Sequence, residues 1–241
     1  MPIVIHIITP IITKGIRTLD DVASYASDEI EFRHSLLDKG PSSIESEYDE
    51  ALAIPDTIQK AIEAENDGAD AIVIDCMGDP GVKAVREVVS IPVFGPAETS
   101  MHAAAMLGQK YTIVTVLHSV VPLIHNLAKV YGTAEKLASI RVINMPVLEL
   151  ENDFKKAQRL IAQASLAAIK EDDADVIILG CTGFLGCAEK IKDLLVSNGL
   201  NIPVIDPIPL TVMTAVAFAK TGLRHSKKTY AQPRDKIIVG Y

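Results

Sequence analysis

Short aliphatic runs alternate along the chain with longer stretches of helical periodicity. The run over 2–9 is almost continuously aliphatic, and similar runs recur at 71–76, 111–117 and 176–181. Runs that are apolar on both faces are typical of buried strands in parallel sheets. The longest periodic stretches predict helices over 44–66 and 153–171. This βαβα alternation predicts an α/β fold in which parallel sheets carry helices on both faces.

Local signals set the expected ends of several elements. Positions 29–37 alternate apolar and polar residues, which predicts a half-exposed or edge strand. A Gly-Pro turn is followed by Ser42 and Ser43, and Glu45 stands at capping-box spacing from Ser42. A helix is therefore expected to begin there, and Pro55 is expected to kink or divide it. Weaker patterns predict a helix over 18–27 and a strand over 140–147.

The strongest pattern is an internal repeat. The segment 67–81 reappears as 172–186 at an offset of 181 − 76 = 105 residues, with seven matched identities. These are Asp67, Ala69, Asp70, Ile72, Cys76, Gly78 and Gly81. Each copy is an apolar run that ends in a cysteine, and each is followed by a second matched run at 91–96 or 202–207. The chain therefore resembles a duplicated α/β half.

The repeat predicts two similar parallel-sheet α/β lobes related by pseudo-two-fold symmetry, with the active site in the cleft between them. The first lobe is expected to contain residues 1–97 and 210–241, and the second lobe residues 98–209. The polar C-terminal segment from Arg224 onward is then expected to lie on the first lobe.

The composition of the chain narrows the classes of function that the protein could have. Of the 241 residues, 49% are hydrophobic and 5% aromatic, which suits an aliphatic core between sheets and helices. A net charge of −8 argues against nucleic acid, but leaves a small anionic ligand open. Three cysteines favour a reducing compartment over a disulfide framework. The N-terminus lacks a basic leader and no apolar run is long enough to cross a membrane, so a cytoplasmic location is expected.

Two cysteines are the candidate chemical groups. Cys76 and Cys181 each end a predicted strand, and ligands of open α/β sheets bind beyond the carboxyl ends of strands. The glycine two residues after each cysteine and the helix that begins beyond it are expected to lower both thiol pKa values. Two thiols on opposite sides of a ligand could invert a carbon next to a carbonyl, because one removes a proton and the other delivers one. Backbone N–H groups near Gly78 and Gly183 would stabilise the enolate, and neither metal nor cofactor is required.

Simpler interpretations cover the remaining reactive residue types. Cys187 falls inside a predicted helix and is expected to be a core thiol. Asp75 and Asp79 beside a turn are expected to be caps or solvated loop residues. His118 and His125 lack a third ligand at metal-binding spacing and are expected to be surface or packing residues.

Several motifs resemble a known family. The segments 40–49, 75–81, 91–95 and 179–183 are similar to the aspartate/glutamate/hydantoin racemase superfamily, and most closely to its hydantoin and allantoin racemase branch. The resemblance implies a cofactor-independent racemase in which Cys76 and Cys181 are the base and acid pair. It also implies that the substrate contacts are Thr9, Pro41, Ser43, Met77, Gly78, Thr115, Thr182 and Gly183.

One segment departs from the family pattern. The branch usually opens with Asn-Pro-Asn, whereas this chain has Thr9-Pro10-Ile11. Thr9 could keep one hydrogen bond to a ligand, but Ile11 cannot. The change favours a ligand with fewer polar groups or a different orientation.

The leading hypothesis is a two-cysteine racemase that acts on a 5-substituted hydantoin or related cyclic ureide, and family members are usually homo-oligomers. An aspartate or glutamate racemase is the second choice, although no clamp for a side-chain carboxylate is identifiable. A decarboxylase or maleate isomerase of the same superfamily is a further enzymatic alternative. The non-enzymatic alternative is a two-lobe module that only binds a small ligand. A redox pair is disfavoured because no Cys-X-X-Cys motif is present.

Overall fold

The computed structural model describes residues 1–150 and 152–237. Its strands are β1 (Ile3–Thr9), β2 (Ile30–Leu36), β3 (Ala71–Ile74), β4 (Val93–Phe94), β5 (Tyr111–Thr115), β6 (Leu137–Val142), β7 (Val176–Leu179) and β8 (Val204–Ile205). Its α-helices are α1 (Asp20–Ala23), α2 (Glu47–Asn66), α3 (Val82–Val88), α4 (Pro96–Leu107), α5 (Val121–Val130), α6 (Phe154–Glu171), α7 (Cys187–Ser197) and α8 (Pro207–Thr221). Within this part of the chain, no helix is both long and apolar enough to cross a bilayer.

The strands form two parallel sheets of the same topology. The first has the order β2-β1-β3-β4 and the second the order β6-β5-β7-β8. Equivalent strand pairs are in parallel register, as Ile5 opposite Ala71 in the first sheet and Tyr111 opposite Val176 in the second illustrate. This confirms the predicted α/β fold with two similar lobes. The carboxyl ends of the two central strand pairs carry the segments that contain the two cysteines.

Both sheets are covered on two faces by aliphatic side chains. In the first sheet, α2 and α3 pack on one face, and α8 packs on the other through Ile208 and Val212. In the second sheet, α6 and α7 pack on one face, and α4 on the other through Met101 and Ala104. Helices α4 and α8 also pack against each other, which joins the two halves. The boundaries of the lobes at 97/98 and 209/210 stay a prediction.

The described part of the C-terminal segment lies against elements of the first sheet. Nε2 of His225 is 2.8 Å from the Val93 nitrogen, and the Tyr230 hydroxyl is 3.2 Å from an Arg86 guanidinium nitrogen. The Lys227 ammonium donates to three carbonyls at the C-terminal end of α3. A cation at that end offsets the negative end of the helix dipole.

Some predicted element ends are wrong. Helix α2 begins three residues later than expected, because Ser46 and not Ser42 or Ser43 is the N-cap, where its hydroxyl accepts from the Asp49 N–H. Pro55 does not divide this helix, whose buried side, including Ala53, packs on the first sheet. Helix α1 spans only 20–23, and β6 begins at 137 instead of 140.

Candidate active site

A cavity of about 100 Å³ lies at the carboxyl ends of both sheets. The two halves of the chain contribute to its wall almost equally, and both Cys76 and Cys181 line it. Because one water needs about 10–15 Å³ by this measure, the cavity has room for roughly seven to ten water positions. That is the size of a small ligand with one ring or a short chain.

Two matched turns hold the two thiols. After each strand end the chain folds back so that the Asp79 N–H donates to the Cys76 carbonyl over 3.0 Å, and the Phe184 N–H donates to the Cys181 carbonyl over 3.1 Å. Each turn leads into a helix through a left-handed glycine, Gly81 with φ 75° and an equivalent glycine at 186 with φ 66°. A side chain with Cβ would strain both positions. The repeat in the sequence is therefore a repeat of backbone conformation.

Most of the predicted contact residues line this cavity. They are Thr9, Ser43, Met77, Gly78, Thr115, Thr182 and Gly183. Pro41 does not: it lies outside the cavity wall, where its carbonyl accepts from the Ile12 N–H over 3.0 Å. The Gly-Pro turn therefore acts by backbone hydrogen bonding, which positions the segment 43–44 at the wall. Ile11, where the family has a polar residue, also lines the cavity.

Two threonines occupy equivalent places at the ends of the central strands. Thr9 ends β1 and Thr115 ends β5, and both are buried. The Thr9 hydroxyl donates to the Asp75 carboxylate over 2.8 Å, and the Thr115 hydroxyl donates to the Gly180 carbonyl over 3.3 Å. Each hydroxyl proton is thus used within the protein. What these residues can offer a ligand is an acceptor oxygen and a methyl group.

The expectation that the thiol pKa values are low is wrong. Burial raises the pKa of Cys181 to about 12, and burial together with the nearby Glu50 raises the pKa of Cys76 well above its usual range. The helices that follow begin at Val82 and Cys187, six residues beyond each cysteine, so their dipoles act from a distance. Desolvation by the surrounding protein outweighs the local backbone effect.

One backbone N–H group at each turn partly offsets this desolvation. The Gly183 N–H is 3.4 Å from the Cys181 Sγ, and the Gly78 N–H lowers the pKa of Cys76 in the same way. These groups were expected to face a developing enolate. In this structure they face the sulfurs, so they stabilise a thiolate once one forms.

A buried ion-pair network in the cavity wall escaped the sequence analysis. Arg17 Nε donates to Asp75 Oδ2 over 2.5 Å, and the two terminal nitrogens of the same guanidinium donate to Asp21. The side chains of Arg17 and Asp75 are 4% and 0% exposed. Asp75 is therefore an interior ionic partner and not the cap or solvated residue expected. Arg17 lies 58 positions away from it, so no local pattern connects the two.

Glu50 is a second functional candidate that the sequence analysis missed. It lies in the first turns of α2, lines the cavity, and has a buried Oε1 without a hydrogen-bond partner. Its carboxyl packs on Gly78, and a Cβ at that glycine would overlap it. Burial, assisted by the negative charges of Asp79 and Glu47, raises the pKa of Glu50 to about 8. In the sequence it is one of several acidic residues at the start of a helix, which gives no signal of its position.

The other reactive residues have structural roles. Asp79 caps α4, where its carboxylate accepts from the Ala97 and Glu98 N–H groups over 2.9 and 2.8 Å. Cys187 is fully buried in the core, as predicted. His118 and His125 are exposed, also as predicted. Among residues 1–150 and 152–237, no group of three or more His, Cys, Asp or Glu side chains is placed to hold a metal ion.

Comparisons with known proteins agree with this geometry. The family described as Asp/Glu/hydantoin racemase matches residues 16–215. Over 202 residues the chain is 39% identical to a hydantoin racemase of Pseudomonas sp. (strain NS671), covering 83% of this chain and 79% of that protein. It is 35% identical over 202 residues to a hydantoin racemase of Rhizobium meliloti, covering 83% and 82%.

A solved structure matches the whole arrangement. The allantoin racemase from Klebsiella pneumoniae superimposes with a TM-score of 0.91 at 30% identity, covering 99% of this chain and 96% of that one. At this coverage the match includes both sheets. Together with the family match over residues 16–215, it establishes that this chain belongs to the Asp/Glu/hydantoin racemase family and is an isomerase of the racemase type.

Proposed function

We propose that this racemase inverts the carbon next to a carbonyl in a 5-substituted hydantoin or a related cyclic ureide, and that Cys76 and Cys181 are its acid and base. The observation that carries the proposal is that both cysteines line one cavity, each on an equivalent strand-end turn of its own half. Relatives named hydantoin racemase and a structural neighbour named allantoin racemase support the choice of substrate class.

The proposed step transfers one proton on each side of the substrate. The thiolate of one cysteine takes the C5 proton, and the C–H electron pair moves into the enolate of the adjacent carbonyl. The thiol of the other cysteine then gives its proton to the opposite face of C5 and becomes the thiolate. The enzyme ends with its two protonation states exchanged, and solvent resets them. A thiol with a high pKa gives a strongly basic thiolate when it ionises. Burial therefore makes the thiolate rarer and also makes it a stronger base.

The charges on the cavity wall favour a neutral ureide over an acidic amino acid. Arg17 is the one cationic side chain among the lining residues of the described chain. Its guanidinium is already paired with Asp75 and Asp21. A substrate carboxylate would therefore find no unpaired cation among these residues, which is costly in a desolvated site. This weighs against the aspartate or glutamate alternative.

A cyclic ureide suits the same wall. Its ring N–H groups are hydrogen-bond donors, and Asp75 Oδ1 is a buried acceptor without a partner in the described structure. The apolar wall, which includes Ile11, Val147 and Leu150, suits a hydrocarbon substituent at C5. The Thr9-Pro10-Ile11 departure from the family pattern is thus compatible with a substituent less polar than that of allantoin.

The test is a racemisation screen with single enantiomers. We expect loss of optical rotation with hydantoins that carry an apolar C5 substituent, slower loss with allantoin, and none with aspartate or glutamate. Racemisation of an acidic amino acid without hydantoin turnover would overturn the substrate assignment. Loss of carbon dioxide from a malonate would instead favour the decarboxylase alternative. The homo-oligomeric state and the cytoplasmic location expected from the sequence stay predictions.

A further inference from the structure

The walls beside the two thiols differ in one respect that the repeat does not predict. The glycine two residues after each cysteine packs against a side chain from the same half of the chain. At Gly78 that side chain is the carboxyl of Glu50, and at Gly183 it is the methyl group of Leu150. Both neighbours line the cavity. The Cys76 turn is therefore packed against an ionisable group, and the Cys181 turn against a hydrocarbon.

The carboxyl of Glu50 is held without a compensating charge. Its Oε1 has no hydrogen-bond partner in the described structure, and the charged groups that bear on it, Asp79 and Glu47, are both acidic. Asp79 accepts from two backbone N–H groups and from the Tyr131 hydroxyl, and these hydrogen bonds partly offset the burial that raises its pKa to about 6, so it is mostly ionised at pH 7. A second carboxylate beside it, away from water, is unfavourable.

Ionisation of Glu50 would also oppose ionisation of Cys76. The Glu50 charge is the largest electrostatic contribution, after desolvation, to the raised pKa of Cys76. Cys181 and Asp75 add smaller contributions of the same sign. Two negative charges a few ångströms apart in a partly buried site repel each other by enough to move a pKa by about one to two pH units. The charge state of Glu50 therefore controls how readily the Cys76 thiolate forms.

We propose that Glu50 is a positioning residue for Cys76 that works in its neutral form: it packs on the Gly78 turn that holds the thiol, and its ionisation suppresses the Cys76 thiolate. The role assigned to Cys76 rests on the proposed racemase function. The effect of Glu50 on the thiol does not, and it can be measured without turnover. Since the pKa of Glu50 lies at about 8, activity is expected to rise with pH below that value and to stop rising above it.

The first experiment measures the thiol directly. In a Cys181→Ser, Cys187→Ser background, Cys76 is the one remaining cysteine of the chain, and its ionisation can be followed by ultraviolet absorbance of the thiolate. We expect Glu50→Gln to lower the apparent pKa of Cys76 by about one to two pH units. Glu47→Gln is the matched control, because Glu47 is an exposed acidic residue of the same helix turn and does not line the cavity. It should leave the titration within a few tenths of a pH unit.

The second experiment is the pH profile of kcat/KM for the full-length protein. Glu50→Gln should retain activity within about threefold at pH 7 and should continue to gain activity above pH 8, where the parent protein levels off. An equal titration of Cys76 in the Glu50→Gln variant and the parent would overturn the proposal. So would a loss of more than about 100-fold at pH 7, because Glu50 would then act as a charged base. If no hydantoin is turned over at all, the racemase function fails while the titration still decides the role of Glu50.

Discussion

The turn that holds Cys76 and the turn that holds Cys181 share their backbone and differ in their surroundings. Both have the same hydrogen bond back to the cysteine carbonyl and the same left-handed glycine before a helix. The glycine after Cys76 packs against the carboxyl of Glu50, whereas the glycine after Cys181 packs against Leu150. The duplication thus preserved the backbone that places two thiols at one cavity. It did not preserve the side chains packed against the two turns.

At the strand end that precedes Cys181, close packing takes the place of the buried ion pair of the first half. A Cβ at Gly180 would lie 2.7 Å from the Val114 carbonyl oxygen and 2.6 Å from the Ile113 side chain. The strands approach too closely there for any other residue. In the first half the equivalent position is Asp75, whose carboxylate accepts hydrogen bonds from Arg17 and Thr9. One half closes its strand end by close packing, and the other closes it with a buried ion pair.

The largest expected effect comes from removing either thiol. Cys76→Ser and Cys181→Ser should each reduce racemisation of a suitable hydantoin by about 10²–10⁴-fold, because a serine hydroxyl cannot replace a thiol acid/base at neutral pH. Cys187→Ser should leave kcat/KM nearly unchanged, since this residue lies in the core. Polarimetry of single enantiomers gives the rates. Full activity without Cys76 would remove the two-base account.

The second prediction compares the two arginine networks. Arg17→Met leaves Asp75 and Asp21 buried without their partner and should lower the free energy of unfolding by about 3–5 kcal/mol. Arg141 pairs with Asp172 in the second half, but its side chain is 28% exposed. Arg141→Met should therefore cost no more than about 1 kcal/mol. Urea denaturation measures both, and equal losses would contradict the contrast between the halves.

The third prediction concerns the order in which the thiols react. Glu50 raises the pKa of Cys76 and is not among the charges that raise the pKa of Cys181, so we expect Cys76 to be the harder of the two thiols to ionise. At about pH 9, where Glu50 is ionised and both thiols are still mostly protonated, the thiolate fraction falls about tenfold for each pH unit by which the thiol pKa is higher. Iodoacetamide should therefore label Cys181 before Cys76, as peptide mass spectrometry can show. Glu50→Gln should narrow the difference, and faster labelling of Cys76 in the parent protein would contradict the assigned asymmetry.

The fourth prediction concerns stability as a function of pH. The pKa of Glu50 is raised from 4.5 to about 8 in the folded protein, so the unfolded chain ionises first as the pH rises. The contribution of Glu50 to stability is therefore fully present below pH 4.5 and declines up to about pH 8. Glu50→Gln should be no more stable than the parent at pH 4.5 and more stable at pH 8, by thermal unfolding. A difference in Tm that is independent of pH would show that Glu50 is not buried in its neutral form.

The sequence could predict the part of the site that rests on repetition. Cys76 and Cys181 stand at one constant offset, and strand-end placement is a property of each local segment. The Arg17 and Asp75 pair could not be found, because it joins loops 58 residues apart with no periodic relation. Glu50 could not be distinguished from its acidic neighbours on α2, since what makes it unusual is its contact with Gly78.

Competing local signals explain the remaining differences. Three serines precede α2, and only Ser46 has Asp49 three residues further on, where the Ser46 hydroxyl donates to the Asp49 carboxylate over 2.8 Å. The expected fall in thiol pKa followed from the nearby glycines and helix starts. It did not allow for the protein that surrounds Cys76 and Cys181 on every side except the cavity, which reverses the sign.

The most direct test of the two-cysteine account is deuterium labelling early in the reaction. A single enantiomer of a turned-over hydantoin is incubated with the protein in deuterated water and stopped at low conversion. Transfer by two bases predicts that the newly formed enantiomer carries deuterium at C5 while the recovered starting enantiomer remains unlabelled, since a solvent-exchanged thiol protonates only the opposite face. Equal deuterium in both enantiomers, or a product that keeps its original proton, would contradict it, because one group would then serve both faces.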